Sequence, residues 1–563
     1  MRWETLPLPE SSRIDALQKS LGVPRVVATL LVQREIDDFA GAKNFFRPKW
    51  DDLHDPFLMK DMTKAVERVN LALSKQEKIM VYGDYDVDGT TSVALMTSFL
   101  KANQGRIIPY IPDRYSEGYG LSKKGIDVAS QQGVSLIIAL DCGIKAIEKV
   151  LYAQTQHIDV IICDHHLPGE ELPPAVAILD PKRSDCSYPF DELCGCGIGF
   201  KLIQGIAQKK GTSSAELPPY LDLVATAIAA DIVPIVGENR TLSFFGIEQL
   251  RAASRKAFRP LLGELKKPVN VTDLVFKVAP RINAAGRMEH ALTAAHLLMA
   301  TELDDISRKA EQIEGFNSER RLTDERITAE ALQQIDERKE EGFPATVVYS
   351  DHWHKGVVGI VASRLIETHY RPTVVLTRSG DHYVGSVRSV KGFDVYAALL
   401  ACQGHLLQFG GHKYAAGLTL ERTQLQAFKK AFESEVSQTL LPTQKTPSLL
   451  YDLELPIDQI DPKLYRIIEQ MAPFGPKNMR PVFCSFNCVD SGETRVVGKE
   501  NTHLRLSIKT PKGVLTGIGF NLAQYCSAIQ KGQPFDLLYT LDQNEWNGRV
   551  SLQLRVKDIK IRA

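Results

Sequence analysis

Three aspartates alternate in the run Asp84-Tyr-Asp86-Val-Asp88-Gly89, which follows the apolar stretch IMVY and precedes a segment rich in Thr and Ser. Alternate residues of an extended segment share a face, so the three carboxylates concentrate negative charge at one place. Hard divalent cations such as Mn²⁺ or Mg²⁺ would neutralise it. The same spacing begins calcium loops and occurs in solvated turns, but the glutamate that closes a calcium loop is replaced here by Leu95. The run therefore favours a Mn²⁺ or Mg²⁺ site over a calcium loop.

Further polar residues follow other apolar runs. Asp141 comes after SLIIAL, Asp164-His165-His166 come after DVIIC, and Asp231 interrupts the apolar stretch ATAIAADIVPI. Taken singly, such residues are typical of helix caps, polar turns or hydrogen-bonded buried acids. Taken together with the first run, they are enough to hold two divalent cations close together, the arrangement that activates water and stabilises the leaving oxygen in phosphodiester cleavage.

The elements that position these residues are predicted from short apolar runs separated by helix-like stretches. This alternation is typical of an α/β fold with a parallel, helix-covered sheet, in which ligands bind beyond the carboxyl ends of the strands. A long charged stretch predicts a connecting helix, and alternating runs near the end of the chain predict a small β-barrel. We divide the chain into an accessory helical segment at 1–70, a catalytic core at 71–301, a connecting helix at 302–341, a second α/β domain at 342–440 and the barrel at 445–563.

Composition excludes some classes of protein. The 563 residues are 44% hydrophobic and 24% charged, which is typical of a globular protein of several domains rather than a small disulfide scaffold. No apolar run reaches the roughly 20 residues of a membrane helix, and the start of the chain does not resemble a signal peptide, so we expect a cytoplasmic location. The nine cysteines are interpreted as reduced thiols. Lys and Arg balance Asp and Glu at 68 each, but from residue 491 onward 11 basic residues face 6 acidic ones.

The ordered acidic and histidine motifs resemble those of the DHH phosphoesterase superfamily. Four further segments, PRINAAGRM, WHKGVVGIVASR, GSVRS and FGGH followed by AAG, resemble the RecJ family of bacterial single-strand-specific exonucleases within it. The resemblance covers essentially the whole chain. It implies a DHH catalytic core, a DHH-associated substrate domain and a C-terminal OB-like barrel. One departure is the turn Ala472–Asn478, where Pro476-Lys477 replaces a second glycine of the family pattern.

The resemblance also implies roles for individual residues. His166 would contact the scissile phosphate or protonate the leaving group, and Asp164 would orient an imidazole. Asp84 would be a metal ligand or its immediate support, and Asp141 is the expected bridging carboxylate. The implied ligands of the two cations, Mn²⁺ or Mg²⁺, are Asp86, Asp88, Asp141, His165 and Asp231.

Nucleic-acid contacts are expected from three further regions. Arg281 and Asn283 lie in a segment that we interpret as a loop, and His354 and Lys355 precede a glycine-flanked helix start that favours an anion. The third region comprises Ser386, Arg388 and a turn with Gly410, Gly411 and His412. In the barrel, Phe520, Tyr525 and Trp546 are candidates either for base stacking or for the core.

The function implied is an exonuclease that hydrolyses single-stranded DNA from the 5′ end, releases 5′ mononucleotides and acts in DNA repair and recombination. A helicase and a single-strand-binding protein are the implied partners, and we expect a monomer. Two alternatives stay open from the residues: a superfamily enzyme acting on oligoribonucleotides or cyclic dinucleotides, and an inactive scaffold that binds single strands.

Overall fold

A computed structural model of the protein describes residues 1–265, 267–339, 342–546 and 548–562, without the side chain of Trp546. Four sheets organise the chain. No helix in these ranges is both long enough and apolar enough to cross a membrane.

The N-terminal residues form one short strand and four helices. The strand β1 pairs in parallel with a strand some 440 residues later, which ties the start of the chain to its C-terminal part. The buried side chains of the first three helices, including Leu17 and Leu30, pack in the same core as the C-terminal strands. The elements are β1 (Arg2–Thr5), α1 (Ser11–Leu21), α2 (Arg25–Val32), α3 (Phe39–Phe46) and α4 (Met62–Ser74).

The first module, which we define as α4 to α14, contains a five-stranded sheet. Its strands are all parallel in the order β3-β2-β4-β5-β6, and apolar clusters cover both faces. The prediction of a parallel, helix-covered sheet is therefore confirmed. The strands are β2 (Lys78–Gly83), β3 (Arg106–Tyr110), β4 (Val134–Leu140), β5 (Asp159–Cys163) and β6 (Ala177–Leu179). The helices after α4 are α5 (Val87–Ala102), α6 (Lys123–Gln131), α7 (Ile147–Thr155), α8 (Gly195–Lys210), α9 (Leu221–Ala230), α10 (Gly237–Arg251), α11 (Phe258–Leu262), α12 (Val271–Asp273), α13 (Ala279–Met288) and α14 (Leu292–Met299).

The segment PRINAAGR is helical, so the interpretation of Arg281 and Asn283 as loop residues is wrong. A π-helical turn, Leu274–Val278, runs directly into α13. Pro280 is the second residue of α13, directly after this turn. The following alanines, arginine and methionine are good helix formers, and they outweigh the proline and glycine that suggested a loop.

A 35-residue helix, α15 (Leu303–Glu337), connects the first module to the second. At 1.5 Å per residue it is about 50 Å long. Its buried Asp324 binds Arg320 on the same helix and Arg364 on the helix α16 (Val358–Thr368), which fixes the second module against the connector. The predicted connecting segment also includes residues 340 and 341, which lie outside the described residues.

The second module, β7 to α18, is a mixed five-stranded sheet in the order β10-β11-β9-β8-β7. The segment FGGH belongs to its edge strand β10, paired with β11, so the prediction of a turn at Gly410, Gly411 and His412 is wrong. The reversal occurs instead at Lys413-Tyr414. The elements are β7 (Thr346–Ser350), α16 (Val358–Thr368), β8 (Thr373–Ser379), β9 (His382–Arg388), α17 (Val395–Ala401), β10 (Gln408–His412), β11 (Ala415–Glu421) and α18 (Leu425–Thr439).

The C-terminal module, β12 to β19, contains a seven-stranded sheet in the order β13-β14-β18-β19-β17-β16-β15. Its long hairpin β18–β19 contacts the first module, where Lys267 donates to Asp542 and to the carbonyl of Gln543. The elements are β12 (Ser448–Tyr451), β13 (Leu453–Glu454), α19 (Pro462–Glu469), β14 (Phe483–Cys488), β15 (Arg495–Val497), β16 (His503–Thr510), β17 (Gly513–Gly519), α20 (Cys526–Gln530), β18 (Phe535–Trp546) and β19 (Arg549–Ile561).

Candidate metal centre and nucleic-acid cleft

The first acidic run lies where β2 ends and α5 begins. Asp84 directly follows β2 and is buried, while Asp86 caps α5 by accepting a hydrogen bond from the Gly89 amide. Asp88, in the first turn of α5, is also buried, and its two oxygens accept from the amides of Gly195 and Cys196 at 2.6 and 2.7 Å. These amides open α8. Carboxylates are stabilised by the N–H groups and the dipole of a helix start.

The second and third strand ends bring the remaining motif residues beside the first. Asp141, after β4, has a left-handed backbone (φ 59°). Its amide donates to the carbonyl of Cys163, which continues the hydrogen bonding between β4 and β5. Gly195 lies so close that a Cβ there would be 2.5 Å from the Cβ of Asp141. Asp164 and His165 follow β5 directly. The strand ends thus hold Asp141 and His165 on the same edge of the sheet as Asp84, as the sequence predicts.

Three carboxylates converge on one nitrogen of His165. Its Nε2 lies 3.2 Å from Asp141 Oδ1, 3.7 Å from Asp231 Oδ2 and 3.9 Å from Asp88 Oδ2. Ligand atoms of Asp141, His165 and His166 also lie within 4.8 Å of one another, as do those of Asp88, His165 and Asp231. The arrangement places two ligand groups around a shared imidazole. Asp86, although predicted as a ligand, belongs to neither group among the described residues.

Burial and mutual repulsion dominate the electrostatics of the acidic cluster. Burial and the neighbouring carboxylates raise the pKa of Asp88 and Asp141 well above the usual range, and burial with the charge of Asp86 raises the pKa of Asp84 to about 8 and that of Asp231 to about 7. Burial and the adjacent His166 lower the pKa of His165 to about 3, which keeps its imidazole in the neutral form that binds metals.

Unpartnered polar atoms show that the site fits a cation. The buried Oδ2 of Asp84 and Nδ1 of His165 have no hydrogen-bond partner among the described residues. Buried polar atoms are normally paired. Carboxylate oxygens with one imidazole suit Mn²⁺ and Mg²⁺, and a divalent cation would relieve the repulsion among the carboxylates.

Asp164 holds the second histidine rather than joining the ligand groups. Its carboxylate accepts hydrogen bonds from the amides of Ile144 and His165, and from Nδ1 of His166 at 2.7 Å. Burial alone would raise the pKa of Asp164, but the bonds from His166 and the amides outweigh it and lower the pKa. The same contact outweighs the burial of His166 and raises the pKa of that imidazole. These contacts agree with the orienting role predicted for Asp164, which stays a prediction.

Tyr119 is a site residue that the sequence analysis missed. Its hydroxyl lies 3.2 Å from Nε2 of His166 and donates to the carbonyl of Asp141 at 3.2 Å, and its side chain is 55% exposed. It lies between two glycines with left-handed backbone, Gly118 and Gly120. That Gly-Tyr-Gly pattern after β3 was the available signal.

Arginines of the two modules and of the connecting helix lie close to one another, and the charge of one of them, Arg114, acts on Asp84. Burial and then the charges of Arg114, Arg320 and Arg388 lower the pKa of Arg287 to about 10. Arg287 donates to the carbonyl of Gly356 and Arg388 to the hydroxyl of Ser386, and neither these two arginines nor Arg114 has a carboxylate partner among the described residues. Uncompensated guanidinium groups around one space are typical of an anion site.

The other residues predicted to contact nucleic acid lie at the contact between the modules, on the sheet of the second module or in α13. Lys355 lies 4.3 Å from the ring centre of Tyr115, and His354 packs edge-on against the same ring, so both lie at the contact between the modules. Ser386, Gly417 and Gly410 are in register across β9, β11 and β10. Arg281, by contrast, binds Glu314 on α15 at 2.6 Å, and Asn283 has no hydrogen bond to its side chain among the described residues.

The aromatic candidates of the C-terminal module differ in their exposure. Phe520 is 51% exposed, with Arg555 5.6 Å from its ring centre, whereas Tyr525 packs against the core. The side chain of Trp546 lies outside the described residues. Of the two described rings, Phe520 is therefore the exposed one.

The fold and the site define a phosphoesterase of the DHH type, and comparison with known proteins agrees. Family models match for the DHH family N-terminal domain at residues 78–228, the DHHA1 domain at 342–438 and the RecJ OB domain at 451–558. The predicted DHH core, DHH-associated domain and OB-like C-terminal domain are therefore confirmed.

Curated relatives narrow the class to one family. The single-stranded-DNA-specific exonuclease RecJ of Bacillus subtilis is 36% identical over all of this chain and 71% of its own length. The RecJ of Dickeya dadantii is 32% identical over 95% of this chain and 96% of its own length. A crystal structure of RecJ with Mn²⁺ from Thermus thermophilus has a TM-score of 0.85 at 25% identity, over 99% of this chain and 79% of that one. The chain belongs to the RecJ family.

Proposed function

We propose that this chain is a metal-dependent exonuclease that hydrolyses single-stranded DNA from its 5′ end and releases 5′ mononucleotides in DNA repair and recombination. The observation that carries the proposal is the convergence of Asp88, Asp141 and Asp231 on His165. A cluster of arginines that includes Arg388 of the second module supports it. Its relatives are named single-stranded-DNA-specific exonucleases. The 5′ polarity and the mononucleotide product come from the family resemblance.

Two divalent cations, Mn²⁺ or Mg²⁺, are the proposed cofactors. The ligands would be Asp86, Asp88, Asp141, His165 and Asp231, with Asp141 shared between the two cations and Asp84 supporting them. When bound, such a pair supplies a water of lowered pKa and stabilises negative charge on the reacting phosphate. The neutral imidazole of His165 and the raised pKa values of the acids describe a site that takes up cations as it releases protons.

His166 acts on the phosphate in this proposal. Asp164 fixes its Nδ1, which leaves Nε2 facing Tyr119 at the exposed side of the centre. A protonated His166 there can donate to a phosphate oxygen or to the leaving oxygen. Tyr119 orients the ring through its hydroxyl.

The second module binds the DNA backbone. Arg388 and Ser386 offer donors to a phosphate, together with Arg114 and Arg287 from the first module. The row formed by Ser386, Gly417 and Gly410 carries no long side chain, so a strand can approach the sheet closely. In the C-terminal module, Phe520 and the local excess of basic residues support binding of a single strand.

We further propose that a helicase and a single-strand-binding protein supply the open strand and that the enzyme is a monomer, as the family resemblance implies. Light scattering of the purified protein tests the monomer, and co-purification with a helicase tests the partner.

A nuclease assay tests the proposal directly. With Mn²⁺, single-stranded DNA should be degraded while blunt duplex DNA stays intact, and Asp141→Ala should abolish degradation without abolishing DNA binding. The matched control is Asp381→Ala, which removes an exposed aspartate from the β8–β9 turn. Single strands that are bound but never shortened would favour the inactive scaffold, and degradation of cyclic dinucleotides alone would favour the other superfamily enzymes.

A further inference from the structure

The loop after Asp231 has an unusual backbone. Asp231 ends α9, and the next residue, Ile232, has a φ of 61° with its side chain 67% exposed. A β-branched residue rarely adopts the left-handed region, because its side chain collides with the backbone there. Such strain persists only where the surrounding structure imposes it. The loop must therefore be held from outside.

The loop is held by a turn of the C-terminal module. Ile235, four residues after Asp231 and fully buried, donates its amide hydrogen to the carbonyl of Pro476 at 2.8 Å. Gly475 packs against the same residue: a Cβ on it would lie 2.4 Å from Cδ1 and 2.9 Å from Cγ1 of Ile235. We call residues 473–478 the clamp turn. Only a glycine at position 475 allows this approach.

Side chains from two other regions fix the clamp turn itself. The buried Asn478 donates to the carbonyls of Met471 and Pro473 and accepts from Nε of Arg34 on the segment after α2. Arg240 on α10 donates to the carbonyls of Met471 and Ala472. The turn is thus anchored to both the N-terminal helices and the first module.

The departure from the family pattern is accommodated within this turn. Lys477 has a φ of 57°, the conformation that a glycine adopts most easily, and its Nζ lies 3.6 Å from Glu192 at the surface. The neighbouring Pro476 supplies the carbonyl that Ile235 binds. The substitution therefore leaves the contact with the Asp231 loop in place.

We infer that the clamp turn is a positioning element for Asp231, through which the C-terminal module sets the affinity of the metal centre. The inference rests on the proposed role of Asp231 as a metal ligand. Asp231 is partly exposed and is held by no side-chain hydrogen bond among the described residues, so its carboxylate position depends on the backbone that carries it. Releasing Ile235 would let Ile232 relax and would move that backbone.

The test measures Mn²⁺ binding to the metal-free full chain without DNA, from the free Mn²⁺ signal in electron paramagnetic resonance. Gly475→Ala should weaken the Asp231-dependent site about tenfold, equivalent to about 1.4 kcal/mol. The KM for single-stranded DNA at saturating Mn²⁺ should stay unchanged. The matched control is Gly404→Ala, where an added Cβ meets nothing within 4 Å.

Two further variants separate positioning from damage to the fold. Ile235→Val removes Cδ1, the nearest atom that an added Cβ would meet, but keeps Cγ1 at 2.9 Å. Gly475→Ala combined with Ile235→Val should therefore recover part of the wild-type affinity. Asn478→Asp keeps the size of the side chain but replaces the group that donates to the carbonyls of Met471 and Pro473 with an acceptor. It should therefore also weaken Mn²⁺ binding, as Gly475→Ala does.

The outcomes distinguish this inference from the proposed function. If Asp231→Asn weakens one Mn²⁺ site while Gly475→Ala and Asn478→Asp bind as the wild type does, the clamp turn has no positioning role and the proposed function stands. If Asp231→Asn leaves Mn²⁺ binding unchanged, the ligand role of Asp231 is wrong and the inference is overturned with it.

Discussion

Asp141 has several energetically unfavourable features that a purely structural residue would not need. It is buried, its backbone is left-handed, and Asp88 and Asp231 share the space around His165 with it. Strained and mutually repelling groups cluster where function requires them. Asp84, Asp141 and Asp164 each follow a buried strand, which made their convergence predictable, because parallel strands end at a common edge. Asp231, by contrast, ends the helix α9.

Tyr119 could not be predicted in the same way, because an aromatic residue between two glycines is equally typical of a surface loop. We predict that Tyr119→Phe lowers kcat about three- to tenfold, the effect of one lost hydrogen bond to His166, and changes KM little. Steady-state kinetics on single-stranded DNA measures this. Tyr152→Phe, which removes a hydroxyl bound to Asp127 at the surface, is the control. Equal kcat for Tyr119→Phe and wild type would exclude an orienting role.

The raised pKa of Asp84 predicts how the metal-free protein responds to pH. The folded value is about 8, against about 3.9 for an unfolded aspartate. Folding therefore favours the protonated carboxyl, and stability falls as the pH rises from about 4 to about 8. In EDTA, the melting temperature of Asp84→Asn should fall less than that of the wild type between about pH 5 and about pH 8. Each kcal/mol of difference in stability corresponds to roughly 2–4 °C.

The control for this experiment is Asp381→Asn, which should follow the wild type across the same range. Parallel melting curves for Asp84→Asn and wild type would show that the Asp84 carboxyl is not destabilised by burial and by Asp86. Adding Mn²⁺ should raise the melting temperature of the wild type most at the upper end of the range, because the cation competes with protons.

Among the secondary-structure elements, the helix α15 joins the second module to the first, and the strand β9 carries Ser386 and Arg388. Apolar runs and charge periodicity were enough to predict both a long connector and an α/β domain after it. Local signals were misleading in two places. Pro280 and Gly286 suggested a loop where α13 forms, and the paired glycines of FGGH suggested a turn where β10 pairs with β11. Along α13 the good helix formers outweigh the two helix breakers, and along β10 the pairing with β11 outweighs the local preference.

Arg388 on β9 gives a prediction at the scale of this element. Its guanidinium is partly buried beside Ser386 and has no carboxylate partner among the described residues. Arg388→Met should raise KM for single-stranded DNA about ten- to hundredfold, the worth of a charge-assisted hydrogen bond, with a smaller effect on kcat. Arg378→Met changes an exposed arginine of the neighbouring strand β8 and should leave KM unchanged. Equal KM values for the two variants would show that Arg388 does not bind the DNA.

At the scale of the whole molecule, the two ends of the chain fold together around the first module. The core shared by α1, α2 and the C-terminal strands, and the pairing of β1 with β12, join residues more than 400 positions apart. No local pattern predicts such contacts, because a hydrophobic face shows only that something covers it. The clamp turn also makes its contact with residues far away in the sequence. Its own sequence shows only a turn, and the fold shows that this turn holds the loop of Asp231.

The most direct test of the account follows the two ends of one single-stranded DNA during digestion with Mn²⁺. With the label at the 5′ end, labelled mononucleotide should appear at once and before the strand shortens detectably; with the label at the 3′ end, labelled fragments should shorten progressively. Asp141→Ala should release neither product. Immediate release of mononucleotide from the 3′ end, or internal fragments from both substrates, would contradict the proposed 5′ to 3′ exonuclease.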